Sequence, residues 1–303
     1  MRSHYANLVC AMLVSATLLP GVVVAGPFED ATATLDSGDA ATAFRLFQQI
    51  ADQGDALAQI KIGAMYAEGQ GVGQDYTEAA KWFRRAAEQN NPRAQFNLGT
   101  MYQHGQGVTQ NYVEAAKWYH LSAEQGYPFA QYNIGVLHAE GNGAAQSNDE
   151  AAKWYRLAAE QGHPGAQFSL ALSYAKGLGV PQSDAEAARW ARMAADQGHV
   201  IAQYNLGIMH ANGRGVSQSD VEAAKWYRLA AERGYVLAQS SLGLHYANGS
   251  GIPRDAIQAL MWLTLAAERG DSKAVIERDA VARAMSAADI FEAKKLAKEW
   301  KPK

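Results

Sequence analysis

Thiol chemistry is nearly absent from this chain of 303 residues. Its one cysteine, Cys10, lies in an apolar N-terminal stretch. Once that stretch is removed there is no disulfide, no thiolate metal site and no cysteine nucleophile. No charge sign dominates either. The 27 Lys and Arg residues are interspersed with 30 Asp and Glu, giving a net charge of -3. Without a basic stripe, nucleic acid is not an expected partner. Disorder is excluded by 48% hydrophobic and 19% charged residues. We expect no G-x-S-x-G, S-x-x-K, P-loop or H-E-x-x-H chemistry from the chain. We therefore expect no catalytic residue, no metal site and no cofactor.

Long apolar runs are also missing. The best, Leu8 to Leu19, is shorter than the ~20 residues that span a bilayer. With Arg2 before it, Pro20 and Gly21 after it, and Val23 and Ala25 beyond, it reads as a signal peptide over residues 1–25, cleaved after Ala25. Loss of Arg2 takes the formal charge from -3 to -4. The alternative is an uncleaved anchor. The expected location is secreted, with the periplasm favoured, and membrane association only through a partner.

What the chain has in abundance is repetition. Trp82, Trp118, Trp154, Trp190, Trp226 and Trp262 are each 36 residues apart. Such periods build solenoids, in which each unit touches only its neighbours. Each unit reads as two helices. Ala94, Leu98, Met101 and Tyr102 share one face of a first helix. The loop Gly105-Gln106-Gly107-Val108 follows, and a second helix runs from about Tyr112 to Glu124, with Ala115, Trp118, Tyr119 and Ala123 on one face. Gly126 and Pro128 close it. Every second helix opens on a capping-box pattern: Asp75/Glu78, Asn111/Glu114, Ser147/Glu150, Ser183/Glu186, Ser219/Glu222 and Asp255/Gln258. Identity drifts among Ser, Asn and Asp while the chemistry does not, so these acids are assigned to structure. First helices carry an interior glycine (Gly63, Gly99, Gly135, Gly207, Gly243; Ala171 is the exception). Glycine there costs about 1 kcal/mol against alanine, which is repaid if a neighbour, expected to be the Trp, approaches closely. Weaker copies flank the array. Asp39 to Gln53 resembles a second helix with Leu46 in the Trp position. Ser286/Asp289 opens a last helix bearing Ile290, Ala293, Leu296, Ala297 and Trp300.

The unit, with its paired-glycine loop and its Trp-Tyr pair, strongly resembles the SEL-one-like repeat, a relative of the tetratricopeptide repeat. Six units fit at 58–93, 94–129, 130–165, 166–201, 202–237 and 238–273. A degenerate unit covers 26–57, and capping helices cover 274–303. The resemblance implies an all-α fold: an α/α solenoid, wound as a right-handed superhelix, of about six 36-residue helix-turn-helix repeats with degenerate caps. It also implies an adaptor that holds protein or peptide partners. A β-lactamase-like activity is attributed to some cysteine-rich members, whose cysteines this chain lacks.

Candidate partner contacts follow from position within the unit. Asn97, Asn133 and Asn205 form a polar column on first helices; an amide both donates and accepts, so it can grip peptide backbone or hold a structural bond. His138 and His210 stand where Tyr66, Tyr102, Tyr174 and Tyr246 stand, and either pack or face a ligand. His163 and His199 align with Tyr127 and Tyr235 in turns between units. Phe96, Tyr132, Phe168 and Tyr204 make an aromatic column expected to pack between units. Ala191 replaces the Tyr of the Trp-Tyr pair in the fourth unit, where Ala171 replaces the glycine; a local groove or bend is expected there. The working reading is a monomeric interaction scaffold. A cell-wall hydrolase and a self-assembling structural protein are the rivals.

Overall fold

In a computed structural model, which describes residues 26–303, the chain forms sixteen helices and no strand among those residues. The signal-peptide reading falls on residues 1–25, outside them. The first two helices are α1 (Pro27–Asp36) and α2 (Ala40–Asp52). Six hairpins follow: α3 (Ala56–Glu68) with α4 (Tyr76–Glu88), α5 (Pro92–His104) with α6 (Tyr112–Glu124), and α7 (Pro128–Glu140) with α8 (Asn148–Glu160). Then come α9 (Pro164–Lys176) with α10 (Asp184–Asp196), α11 (Val200–Asn212) with α12 (Asp220–Glu232), and α13 (Val236–Asn248) with α14 (Ala256–Glu268). The chain ends on α15 (Ser272–Ala282) and α16 (Ala287–Glu299), both packed on α14. From α1 to α15 each helix contacts its sequence neighbours, so the fold is an all-α solenoid. First helices begin two residues before the expected start. Pro92, Pro128 and Pro164 sit in the first turn, where a missing N–H leaves nothing unsatisfied.

The loops are set by glycine. Gly105 ends α5 at φ 69°, and Gly107 follows at φ 68°, both in the left-handed region. A side chain on Gly107 would run into the Tyr76 carbonyl at the start of α4. The second loop glycine is thus a contact between units.

The caps form as expected, but the boxes are only half closed. Asp75 accepts from the Thr77 and Glu78 amides, and Ser147, Ser183 and Ser219 each accept from the amide three residues on. The acid does not reach back. The cap's own N–H is already bonded to a first-helix carbonyl: Asp75 to Tyr66 at 2.9 Å and Ser183 to Tyr174 at 2.9 Å. The freed carboxylates pair along their own helix instead, Glu150 with Lys153 and Glu222 with Lys225 at 2.6 Å.

Two expectations about packing are corrected. The residue that closes over each first-helix glycine is the neighbour of the Trp. A Cβ on Gly99 would lie 2.8 Å from the Tyr119 ring, and one on Gly63 would lie 2.8 Å from Phe83. Leu263 does the same for Gly243. The tryptophans reach backwards into the preceding unit. Trp118 packs with Ala79, Phe83 and Leu98, and Trp226 with Ala194, Ala195 and Leu206. The reason is helical geometry: adjacent positions lie about 100° apart, so one side chain seals its own hairpin while the other seals the junction.

A second device between units was not read from the sequence. Gln95, Gln131 and Gln167 are buried in first helices. Each amide donates to the previous second helix, at Ala87, Ala123 and Ala159. Each side-chain oxygen accepts from the glutamine that ends its own unit, Gln125, Gln161 and Gln197, at 2.7 Å. The ladder breaks after Gln197. Arg233 and Arg269 take the next two places and donate to the Gly198 and Gly234 carbonyls. The oxygens of Gln203 and Gln239 are left buried without a partner.

Candidate partner-binding face

The first helices present one repeating face. Leu57, Phe129, Ile201 and Leu237, at matching positions in four units, are 43–50% exposed. Phe96, Tyr132, Phe168 and Tyr204 are half-buried beside them and pack against the residue that caps the next first helix. The ring pairs are Phe96–Tyr127 at 5.4 Å, Tyr132–His163 at 4.7 Å, Phe168–His199 at 4.8 Å and Tyr204–Tyr235 at 5.1 Å. This column joins units, as its spacing suggested.

Asn97, Asn133 and Asn205 occupy the same position of α5, α7 and α11 and are half-buried. Asn133 lies near the Tyr119 hydroxyl, whose hydrogen-bond partners are Thr100 and Gln103; burial raises the pKa of that phenol. The side chains of Asn97 and Asn205 have no hydrogen-bond partner among the described residues. Asn205 lines a cavity, described below.

The histidines divide by environment. His210 is buried. Its Nε2 lies 2.9 Å from Arg192 and its Nδ1 lies 3.3 Å from the Ser217 carbonyl. A guanidinium only donates and a carbonyl only accepts, so Nδ1 carries the proton and both nitrogens are engaged. Arg156 and Arg228 make the same contact to the hydroxyls of Tyr174 and Tyr246 at 2.9 Å. His210 therefore stands in for a tyrosine, and the geometry favours packing over ligand contact. His138 is half-buried, with Nδ1 3.1 Å from the Ala145 carbonyl. His163 and His199 cap α9 and α11 through ring nitrogens that accept from Ala166 and Ala202. Burial lowers both pKa values below the usual 6.5. No group of three metal-capable side chains occurs among the described residues.

Around Ala191 lies a cavity of about 230 Å³, walled by Phe168, Ala171, Leu172, Ala187, Ile208 and Met209. Asn205, Lys176 and Arg214 are the polar residues of its lining. The corresponding groove one unit earlier, between α7 and α9, measures about 170 Å³; there Tyr155 stands in the place of Ala191. The two grooves are successive along the face, with Leu172 and Lys176 of α9 lining both. A third hollow, of about 680 Å³, lies at the C-terminal end of the same face, against α13 and the start of α15.

The expected absence of an S-x-x-K sequence is corrected. Ser173-Tyr174-Ala175-Lys176 spells S-x-x-K, a serine–lysine spacing used by acyl-transfer enzymes. Its setting does not suit that chemistry. Ser173 is buried where other units carry Met101, Leu137 and Met209, in the last turn of α9. The negative end of the helix dipole opposes a developing oxyanion there.

Hairpins sealed by a glycine–aromatic pair, junctions sealed by tryptophan and an open face of first helices define a tetratricopeptide-like repeat scaffold. The chain belongs to the Sel1 repeat family, whose pattern matches residues 36–55, 56–91, 92–127, 128–163, 164–199, 200–235 and 236–271. Proteins of this family are in general protein-interaction scaffolds, and the fold is typically non-catalytic. Among solved structures, a protective antigen of uropathogenic Escherichia coli with an SLR fold is 37% identical, with a TM-score of 0.77. That match covers 84% of this chain and 56% of the antigen, so the chain spans little more than half its length. A Sel1 repeat protein from Oxalobacter formigenes is 32% identical, with a TM-score of 0.71 over 80% of this chain and 97% of the other. No curated protein matches.

Proposed function

We propose that this protein is an exported interaction scaffold, periplasmic or secreted, that holds a peptide or a protein segment along its first-helix face. The carrying observation is a pair of successive grooves on that face, with Leu172 and Lys176 lining both. Exposed Phe129 and Ile201 and the unpartnered amides of Asn97 and Asn205 give the same face apolar and polar contacts. Many weak contacts over such a surface give specificity without an enclosed pocket. Export rests on the charged, apolar and small-residue pattern of residues 1–25.

The test is crosslinking in cells from a photoreactive residue at position 133, with one at exposed Val221 on a second helix as comparison, followed by mass spectrometry. A partner captured from 133 and not from 221 supports the reading. Capture from 221 alone, or from neither, overturns it. Cell fractionation and N-terminal sequencing test export; the expected first residue is Gly26. Light scattering of the pure protein separates the monomer favoured here from a self-assembling rival.

A further inference from the structure

The geometry points to the cavity at Ala191 as an anchor site for one aromatic side chain of the partner, carried beside an acidic group. This deepens the scaffold reading and rests on it.

Four observations specify the occupant. The first is shape. Elsewhere in the array a ring fills the place of Ala191: Phe83, Tyr119, Tyr155 and Tyr227 each lie over a glycine. In the fourth unit both members of the pair are alanine, and Ala171 and Ala191 are buried in the same cluster. The ring is gone, and the groove widens from about 170 to about 230 Å³.

The second is size. An apolar cavity of ~150 Å³ accepts a benzene ring, whereas drug-sized and cofactor pockets begin at ~300 Å³. A cavity of about 230 Å³ suits a single ring. The third is chemistry. Phe168, Leu172, Ile208 and Met209 wall it, and a thioether beside a ring is a favourable contact. Buried aromatic anchors of this kind dominate the energetics of many interfaces.

The fourth is charge at the rim. Arg214 is paired with Asp184 at 2.7 Å. Lys176, exposed at the end of α9, has no acidic partner among the described residues. The amide of Asn205 is likewise unpartnered and can donate to a carboxylate or to peptide backbone. One free cation and one free amide beside an apolar cavity complement a ring with a carboxylate next to it.

The experiment uses three defined probes on the full mature chain: N-acetyl-Asp-Phe-amide, N-acetyl-Asp-Ala-amide and N-acetyl-Lys-Phe-amide. Binding is read from the NMR methyl signals of Ala171, Ala191 and Met209. The Asp-Phe probe should give saturable shifts in the millimolar range, as a single-side-chain contact implies. The Asp-Ala probe should bind about tenfold more weakly, through loss of the buried ring. The Lys-Phe probe should bind about fivefold more weakly, the scale of one exposed ion pair. Two variants guard against misfolding as an explanation. Ala171→Gly/Ala191→Tyr recreates the pair used by other units, fills the cavity and should abolish the shift of the Met209 methyl, the reporter that this variant retains. Lys176→Glu, on the surface, should reverse the preference between Asp-Phe and Lys-Phe. Absence of saturable shifts, equal response to all three probes, or retained binding in the filled variant overturns the proposal. Crosslinking from position 133 that survives in the filled variant would leave the scaffold reading standing while this anchor fails.

Discussion

Ala171 and Ala191 face each other across the α9–α10 hairpin, at the two positions where four other hairpins set a glycine under an aromatic ring. The exchange is compensated: the first helix gains a methyl group and the second loses a ring. That makes a stability prediction with a definite sign. In the other units a Cβ on the glycine would sit 2.6–2.8 Å from the ring. Ala191→Tyr alone must therefore force its ring against the Ala171 methyl, and overpacking of this kind costs about 1–3 kcal/mol. Adding Ala171→Gly should recover most of that loss. Urea unfolding of the single and double variants decides it; an Ala191→Tyr variant as stable as the parent would show that the two sites are not coupled.

The glutamine ladder yields the opposite sign. Gln203 keeps a buried side-chain oxygen without a partner because Arg233 stands where Gln125, Gln161 and Gln197 stand in earlier units. An unsatisfied buried acceptor costs about 1–3 kcal/mol. Arg233→Gln should restore the rung and stabilise the chain by about 1 kcal/mol, after loss of the Arg233 bond to the Gly198 carbonyl. Gln197→Ala should do the reverse by orphaning Gln167. Denaturation midpoints of the two variants should move in opposite directions, and a shared direction would refute the ladder.

Stability should also depend on pH through two caps. His163 and His199 are held below the usual 6.5, first by burial, with His199 adding to the effect on His163. The native state favours the neutral ring, whose Nδ1 lone pair accepts the cap bond. The unfolded chain binds the proton more readily, so the contribution is complete above about pH 6.5 and declines as pH falls below it. An asparagine can cap without titrating, as Asn91 does for α5. The His163→Asn/His199→Asn variant should flatten the stability profile below about pH 6.5. A profile unchanged by the substitution would place the pH dependence elsewhere.

These cases show which parts of the structure the sequence displayed. Period and caps are local, so Trp spacing and the Asp, Asn and Ser caps gave helix boundaries to within two residues. Partners across a junction are not local. The tryptophans were paired with the wrong neighbour because Trp118 and Tyr119 are adjacent in sequence yet face different units. The buried glutamines were passed over because polar residues at a constant position read as surface. Their signal was present in the matched columns Gln95/Gln131/Gln167 and Gln125/Gln161/Gln197, where two constant amides 30 residues apart imply a bond between them. At Ala191 the departure from the repeat was visible, but the size of the space it leaves depends on how Phe168, Ile208 and Met209 pack around it.

The junction role of tryptophan gives a last test, one that separates coupling between units from stability within a unit. Trp118 is carried by α6 but packs on Ala79, Phe83 and Leu98, which belong to the unit before it and to its own first helix. Tyr119, its neighbour, seals α6 to α5 over Gly99. In a solenoid, stability is close to a sum of unit terms and nearest-neighbour terms. Trp118→Ala should remove mainly a neighbour term, at about 3–5 kcal/mol, whereas Tyr119→Ala should remove a unit term of similar size. The two are distinguishable by hydrogen exchange. Trp118→Ala should loosen amides of α4 together with those of α5 and α6, and lower the cooperativity of unfolding across that junction. Tyr119→Ala should loosen α5 and α6 first. If α4 keeps full protection in Trp118→Ala, the tryptophan does not couple units, and the interval of 36 residues reflects hairpin closure alone.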